Sequence, residues 1–290
     1  MDPTSQAYEQ LIQNFVHWAQ GQEDIRLAFV LGSRARTDHP ADEWSDLDLA
    51  VAARDIRPYL EQAEWVANIG RPRLTFVEAA GDDRPMERRV LFDGGLDVDF
   101  ALLPLESIHQ IALEGADPAA ADLFHRGVRM LLDKDGLVPD PAVIAAAWQS
   151  PSPPVEAEFQ EVVNNFWYHT VWTAKHLRRG ELWWAKECCD GHLKGLLRRM
   201  LEWHVRARHG PGHDTWLRGR FLEEWADPRA VGALPDIYAH YVEADIWRAL
   251  SATMDLFRWV GEETGRSLGY SLPKDGIEYS TQLVRRLAER

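Results

Sequence analysis

The stretch that most restricts how this chain can fold is a short apolar run, Ile25-Arg26-Leu27-Ala28-Phe29-Val30-Leu31, that passes without a break into Gly32-Ser33-Arg34-Ala35-Arg36. A run of that length, rich in strand formers and ended by glycine, predicts a strand with a turn at its end. Gly32 lets backbone approach a ligand closely, and Ser33 offers a hydroxyl and an amide, so the turn suits a phosphate. Residues 37–45 have a loop composition, after which Asp46-Leu47-Asp48-Leu49-Ala50-Val51-Ala52 resumes a strand. Side chains alternate along a strand, which puts Asp46 and Asp48 on one face and Leu47 and Leu49 in a core. Two carboxylates held this close repel unless a cation such as Mg2+ lies between them. Taken alone, the pair fits a solvated strand edge better than an ion site.

Further along, Asp93-Gly94-Gly95 separates two apolar stretches, 89–92 and 96–103, and is a hairpin signal. The second stretch carries Asp99 among Val98, Phe100, Ala101 and Leu102. A carboxylate buried there without a partner is costly, so it calls for a metal or a donor. Asp97 shares its face and is the competing candidate.

Helical spacing of Tyr8, Leu11, Ile12, Phe15, Val16 and Ala19 predicts an opening amphipathic helix over 6–20. A helix over 55–68, a strand over 73–77, and helices over 105–114 and 118–124 follow. Residues 128–133 read as a closing strand or a helix end, and a short helix begins at Asp140-Pro141. Ser150-Pro151-Ser152-Pro153-Pro154 is the clearest break in composition and sets a domain boundary, giving domains 1–150 and 151–290. Beyond it the patterns are helical, over 155–179, 181–209, 236–263 and 277–290, as in a bundle. Trp167, Trp172, Trp183, Trp184 and Trp203 are expected mostly in its core, with one or two free to wall a sugar or adenine site.

The 290 residues, 46% of them hydrophobic, suffice for two cores. The two cysteines, Cys188 and Cys189, are adjacent and leave no disulfide framework, which fits a reducing cytosol. No basic-apolar leader opens the chain and no run approaches the ~20 apolar residues of a membrane helix, so a cytoplasmic protein without membrane attachment is expected. A net charge of -14 disfavours nucleic acid and suits a cationic small molecule, although it also serves solubility. The histidines fall at no metal-ligand spacing and are assigned no role.

Taken together and in order, several segments resemble one family. They are Gly32-Ser33-Arg34, Asp46-Leu47-Asp48, Pro85-Met86-Glu87-Arg88 and Asp99-Phe100-Ala101-Leu102-Leu103-Pro104-Leu105-Glu106. Asn164-Asn165-Phe166-Trp167, Ala174-Lys175 and Met200-Leu201-Glu202-Trp203-His204 follow. The chain is similar to the DNA polymerase beta-like nucleotidyltransferases and, within them, to the aminoglycoside 6-adenylyltransferases that modify streptomycin. It departs from the family pattern at Asn165, where an acidic residue is usual.

The resemblance implies an α+β architecture, a polymerase-beta-like nucleotidyltransferase domain (mixed sheet with flanking helices) followed by an all-α helical substrate-binding bundle. It implies ATP as co-substrate, its triphosphate held by Gly32, Ser33 and Arg34, with Lys175 reaching a phosphate from the helical domain across the cleft that takes the acceptor. Asp46, Asp48 and Asp99 become the catalytic, Mg2+-binding carboxylates, with Asp99 beside the attacking hydroxyl as a candidate to accept its proton. Glu161, Glu187 and Asp190 are candidates to meet the acceptor's cationic groups, although ordinary exposed helix charges explain them more readily. The implied reaction moves AMP to a hydroxyl of a small cationic, streptomycin-like aminoglycoside and releases pyrophosphate. Two alternatives remain at this level. One is the same chemistry on a protein or another small alcohol, and the other is a nucleotide binder without catalysis.

Overall fold

The computed structural model describes residues 2–79, 86–114, 118–138 and 141–289. Pro85 of the family-like segment, Asp140 at the start of the short helix and Arg290 at the end of the last one lie outside the described residues. The chain divides into two compact units, Met1–Gln149 and Ser150–Arg290.

The first unit is built on a mixed sheet. Helix α1 (Pro3–Gln20) starts earlier than its apolar spacing indicates, because Asp2 caps the Ser5 amide and Pro3 is set for the first turn. Strands β1 (Ile25–Leu31) and β2 (Leu47–Ala53) form an antiparallel pair. The helix expected over 55–68 is not continuous. A short α2 (Arg57–Glu61) stops at Gln62, whose backbone is extended, and a 3-10 turn follows over Glu64–Asn68. Then come β3 (Pro72–Ala79), β4 (Met86–Phe92) and β5 (Leu96–Pro104), with Asp93-Gly94-Gly95 making the hairpin through two glycines at positive φ. Helices α3 (Leu105–Glu114) and α4 (Pro118–Arg126), strand β6 (Arg129–Asp133) and helix α5 (Pro141–Ala146) complete the unit. The open choice at 128–133 resolves to a strand, which pairs with β1.

The strand order is β3-β4-β5-β2-β1-β6, and β2 with β5 is the parallel pair. One sheet face packs Leu47, Leu49, Val90, Val98 and Phe100 against Phe15 and its neighbours on α1. On the other face, Ala50 and Ala52 of β2 lie with Leu27, Phe29, Ile108, Phe124 and Ile144 in a second core. Leu74 and Phe76, on the edge strand β3, are more than half exposed.

The second unit is helical among its described residues. Helix α6 (Glu156–Arg178) ends before Gly180, at positive φ. The pattern over 181–209 is α7 (Leu182–Glu187), a π-helical turn over Cys188–His192 and α8 (Leu193–His209). Short α9 (Leu222–Trp225) and α10 (Pro228–Ile237) lead to α11 (Glu243–Leu268) and α12 (Lys274–Ala288). A helix expected from residue 236 starts at Glu243 because the backbone turns extended at Tyr238. The core stacks Phe166 on Phe257, ring centres 3.6 Å apart. Trp167 and Trp203 are buried in it and Trp172 packs against it, whereas Trp183 and Trp184 are exposed at 73% and 54%, so most but not all of the five tryptophans belong to the core, as expected.

Candidate active site

Register brings the chemistry together. In the parallel β2–β5 pair Asp48 stands opposite Asp99, and Leu31, the last residue before the Gly32 turn, stands opposite Asp48. On the other side Arg89 of β4 pairs with Asp99, and Phe76 of β3 pairs with Arg89. Residues in register share a face and strands lie ~4.8 Å apart, so one row crosses five strands from the turn to the sheet edge.

Asp46, Asp48 and Asp99 each offer a carboxylate oxygen, all within 4.8 Å of one another. Among the described residues they form the only acidic or metal-ligating group of this kind. Asp99 is only 14% exposed, and burial, reinforced by Glu87, Asp46 and Asp97, pushes its carboxyl up to about 6 against the pull of Arg89. A cluster that raises a carboxyl this way is relieved by a divalent cation with hard oxygen ligands, so the donor set fits Mg2+.

Asp97 has a different partner. Its Oδ1 accepts from the Tyr8 hydroxyl at 3.0 Å, and its backbone amide donates to the Tyr8 hydroxyl oxygen at 3.2 Å. Burial and this bond push the Tyr8 phenol up to about 12. Geometry therefore separates two carboxylates that alternation alone cannot.

The turn over Gly32–Arg34 packs directly on this cluster. Gly32 has φ +65°, and a Cβ there would run into the Asp48 carboxylate, so glycine is required twice over. Ser33 Oγ is buried and has no hydrogen-bond partner among the described residues. Arg34 is bonded to the loop that enters β2. Its Nε donates to Asp46 O at 2.9 Å and its guanidinium donates to Ser45 O at 2.6 Å, while its plane lies 3.6 Å from the centre of the Tyr8 ring. It anchors the entry to β2 and so the backbone of Asp46.

Arg89 was not singled out by sequence reasoning. It lies 3.5 Å from Asp99, 3.2 Å from Glu87 and 2.8 Å from Glu78, and so draws three carboxylates around one guanidinium. Its neighbour Arg88 faces the other way. Buried at 4% exposure, Arg88 donates to Tyr59 O and Thr75 Oγ1 and ties α2 to the sheet, and burial lowers its pKa. The signal for Arg89 was the alternation Glu87, Arg89, Leu91 opposite Arg88, Val90, Phe92.

Lys175, Glu161 and Glu187 are exposed positions of the helical unit. Asp190 is paired with Lys186 within its own helical run. Asn165 accepts at Oδ1 in a 2.9 Å contact with His192 Nε2, and its carbonyl meets His169 Nδ1 at 2.9 Å.

Comparison with known proteins agrees in extent and order. The family model for streptomycin adenylyltransferase matches residues 5–287. The aminoglycoside 6-adenylyltransferase of Bacillus subtilis (strain 168) is 23% identical over 285 residues, covering 94% of this chain and 96% of that protein. Its namesake in Campylobacter jejuni is 23% identical over 276 residues, covering 93% and 92%. A crystal structure of an aminoglycoside 6-adenyltransferase from Bacillus subtilis aligns over 97% of this chain and 98% of that one, at 20% identity and a TM-score of 0.45. With the matched model spanning nearly its whole length, the chain belongs to the streptomycin adenylyltransferase family and is an adenylyltransferase enzyme.

Proposed function

We propose that this enzyme moves AMP from ATP to a hydroxyl of a streptomycin-like aminoglycoside in the cytoplasm, in a Mg2+-dependent reaction that releases pyrophosphate and inactivates the antibiotic. The observation that carries the proposal is the convergence of Asp46, Asp48 and Asp99 beside a turn whose serine hydroxyl has no partner among the described residues. A net charge of -14 suits a polycationic acceptor. The names of the relatives point to position 6 of the acceptor, and we extend that to this chain as part of the proposal.

Asp46, Asp48 and Asp99 would hold Mg2+, which when bound supplies positive charge against the phosphates and the developing negative charge of the reaction. Gly32 brings backbone close to the triphosphate, and Ser33 donates its hydroxyl to a phosphate oxygen. Arg34 keeps Asp46 in place through the carbonyls of Ser45 and Asp46. Arg89 steadies the Asp99 carboxylate from the next strand. Asp99, beside the attacking hydroxyl, accepts its proton as that oxygen attacks the α-phosphorus and pyrophosphate leaves. Lys175 adds charge to a phosphate from the helical unit.

Pyrophosphate release by purified protein with ATP and Mg2+, measured across a panel of aminoglycosides, tests this. Release with streptomycin-like acceptors is expected, and silence with every aminoglycoside would refute the function.

A further inference from the structure

The helical unit contains a cavity of about 720 Å³ walled by α8, α10 and the segment 217–223. That volume is within the ~300–1,000 Å³ of ordinary small-molecule sites. Its character is opposite to that of the acidic chain around it. Lys194, Arg198 and Arg218 line it against a single carboxylate, Glu223, and the rest of the wall is apolar, with Leu234, Ile237 and the Tyr238 ring among it.

Lys194 is the most telling of these groups. It is buried to 8% exposure, yet its ammonium donates to neutral oxygens, Cys189 O and Thr253 Oγ1, each at 2.9 Å. Its nearest carboxylate oxygen, on Asp190, is 3.9 Å away, and the other oxygen of that carboxylate is held by Lys186. Burial lowers the Lys194 pKa, as expected of a cation short of a counter-charge. The Tyr238 ring lies 5.2 Å from Nζ. Arg198 is paired with Glu202, but the Arg218 guanidinium has no hydrogen bond or ion pair among the described residues.

The rim that carries Arg218 is strained. Trp216, Arg218 and Phe221 all have left-handed backbone, at φ 50°, 57° and 54°, with Gly219 between them at 80°. Side-chain-bearing residues avoid that region, and three within six positions persist only where surrounding structure imposes them, as at ligand clamps. The strain holds Arg218 at the mouth of a positively charged, apolar-walled space.

We infer that this cavity is a second ligand site, separate from the carboxylate cluster, that takes a small anion with a flat apolar body, a carboxylate or a phosphate monoester. Its charge excludes the cationic acceptor, so it has no part in binding the aminoglycoside. The anionic group meets Lys194 and Arg218, and the apolar body lies against Tyr238 and Leu234.

The full chain is titrated with 8-anilinonaphthalene-1-sulfonate, a fluorescent aryl anion, with thermal unfolding as the folding control. One saturable site is expected, weakened about tenfold or more by Arg218→Glu on the exposed rim and by Leu234→Trp, which fills the cavity. Competition by phenyl phosphate but not benzoate assigns a phosphate ester, and the reverse assigns a carboxylate. Absence of a saturable site, equal affinity in both folded variants, or displacement by ATP at concentrations that saturate the nucleotide site would overturn the inference.

Discussion

Asp48 and Asp99 are direct partners in the parallel β2–β5 pair, Asp48 the one charged residue of β2 and Asp99 accompanied on β5 only by Asp97. Without a bound cation the Asp99 carboxyl is displaced upward, chiefly by burial and further by the charges of Glu87, Asp46 and Asp97. Replacing one with its neutral isostere should therefore stabilise the ion-free protein while ruining ion binding. Asp99→Asn is expected to raise ion-free stability at pH 7 by about 1 kcal/mol and to abolish the stabilisation that added Mg2+ or Mn2+ gives the wild type. Thermal unfolding with and without the ion checks both halves, and retained ion-dependent stabilisation in the variant would contradict the cluster's role.

Gly32 should tolerate no side chain. Gly32→Ala places a methyl against the Asp48 carboxylate on a backbone at φ +65°. A loss of about 1–2 kcal/mol is expected from the backbone conformation and the displaced carboxylate. Urea unfolding measures that loss, and steady-state kinetics should show turnover falling with it.

Arg34 distinguishes an anchoring role from a phosphate-binding one. Arg34→Met removes the donors to the carbonyls of Ser45 and Asp46, at a cost of about 1–3 kcal/mol for buried acceptors left unpaired. The expected outcome is lower stability and lower kcat with little change in the KM for ATP. A large rise in that KM at unchanged stability would return Arg34 to the phosphates.

The first strand was legible because Ile25–Leu31 is a short apolar run ending in glycine, and the shared face of Asp46 and Asp48 follows from a period of two. What distinguishes Asp99 from Asp97 was not legible, since both point the same way and the deciding partner, Tyr8, lies on α1, far along the chain. Arg34 gains an anchoring role for a related reason. A basic residue after Gly-Ser suggests phosphate, and only the folded loop reveals two backbone carbonyls waiting for it. In the helical unit the apolar spacing showed helices but not their ends, which depend on extended residues such as Tyr238, and it could not tell exposed Trp183 from buried Trp167.

The adjacent cysteines give a pH test away from the site. Burial pushes the Cys189 thiol from 9.0 up to about 11. Between those values the unfolded chain loses this proton while the folded chain keeps it, so the group's contribution to stability is present below pH 9 and falls as pH rises toward 11. Cys189→Ala should flatten that part of the stability profile. In the folded wild type at pH 8, thiol reagents should label neither Cys188 nor Cys189 until denaturant is added.

The most direct measurement is product mass. Wild-type protein and Asp48→Asn are each incubated with ATP, Mg2+ and streptomycin, and the antibiotic is weighed by mass spectrometry. The account predicts streptomycin heavier by one adenylyl group with the wild type and unmodified streptomycin with a folded Asp48→Asn. Equal modification by both proteins, or none by the wild type with any aminoglycoside offered, would contradict it.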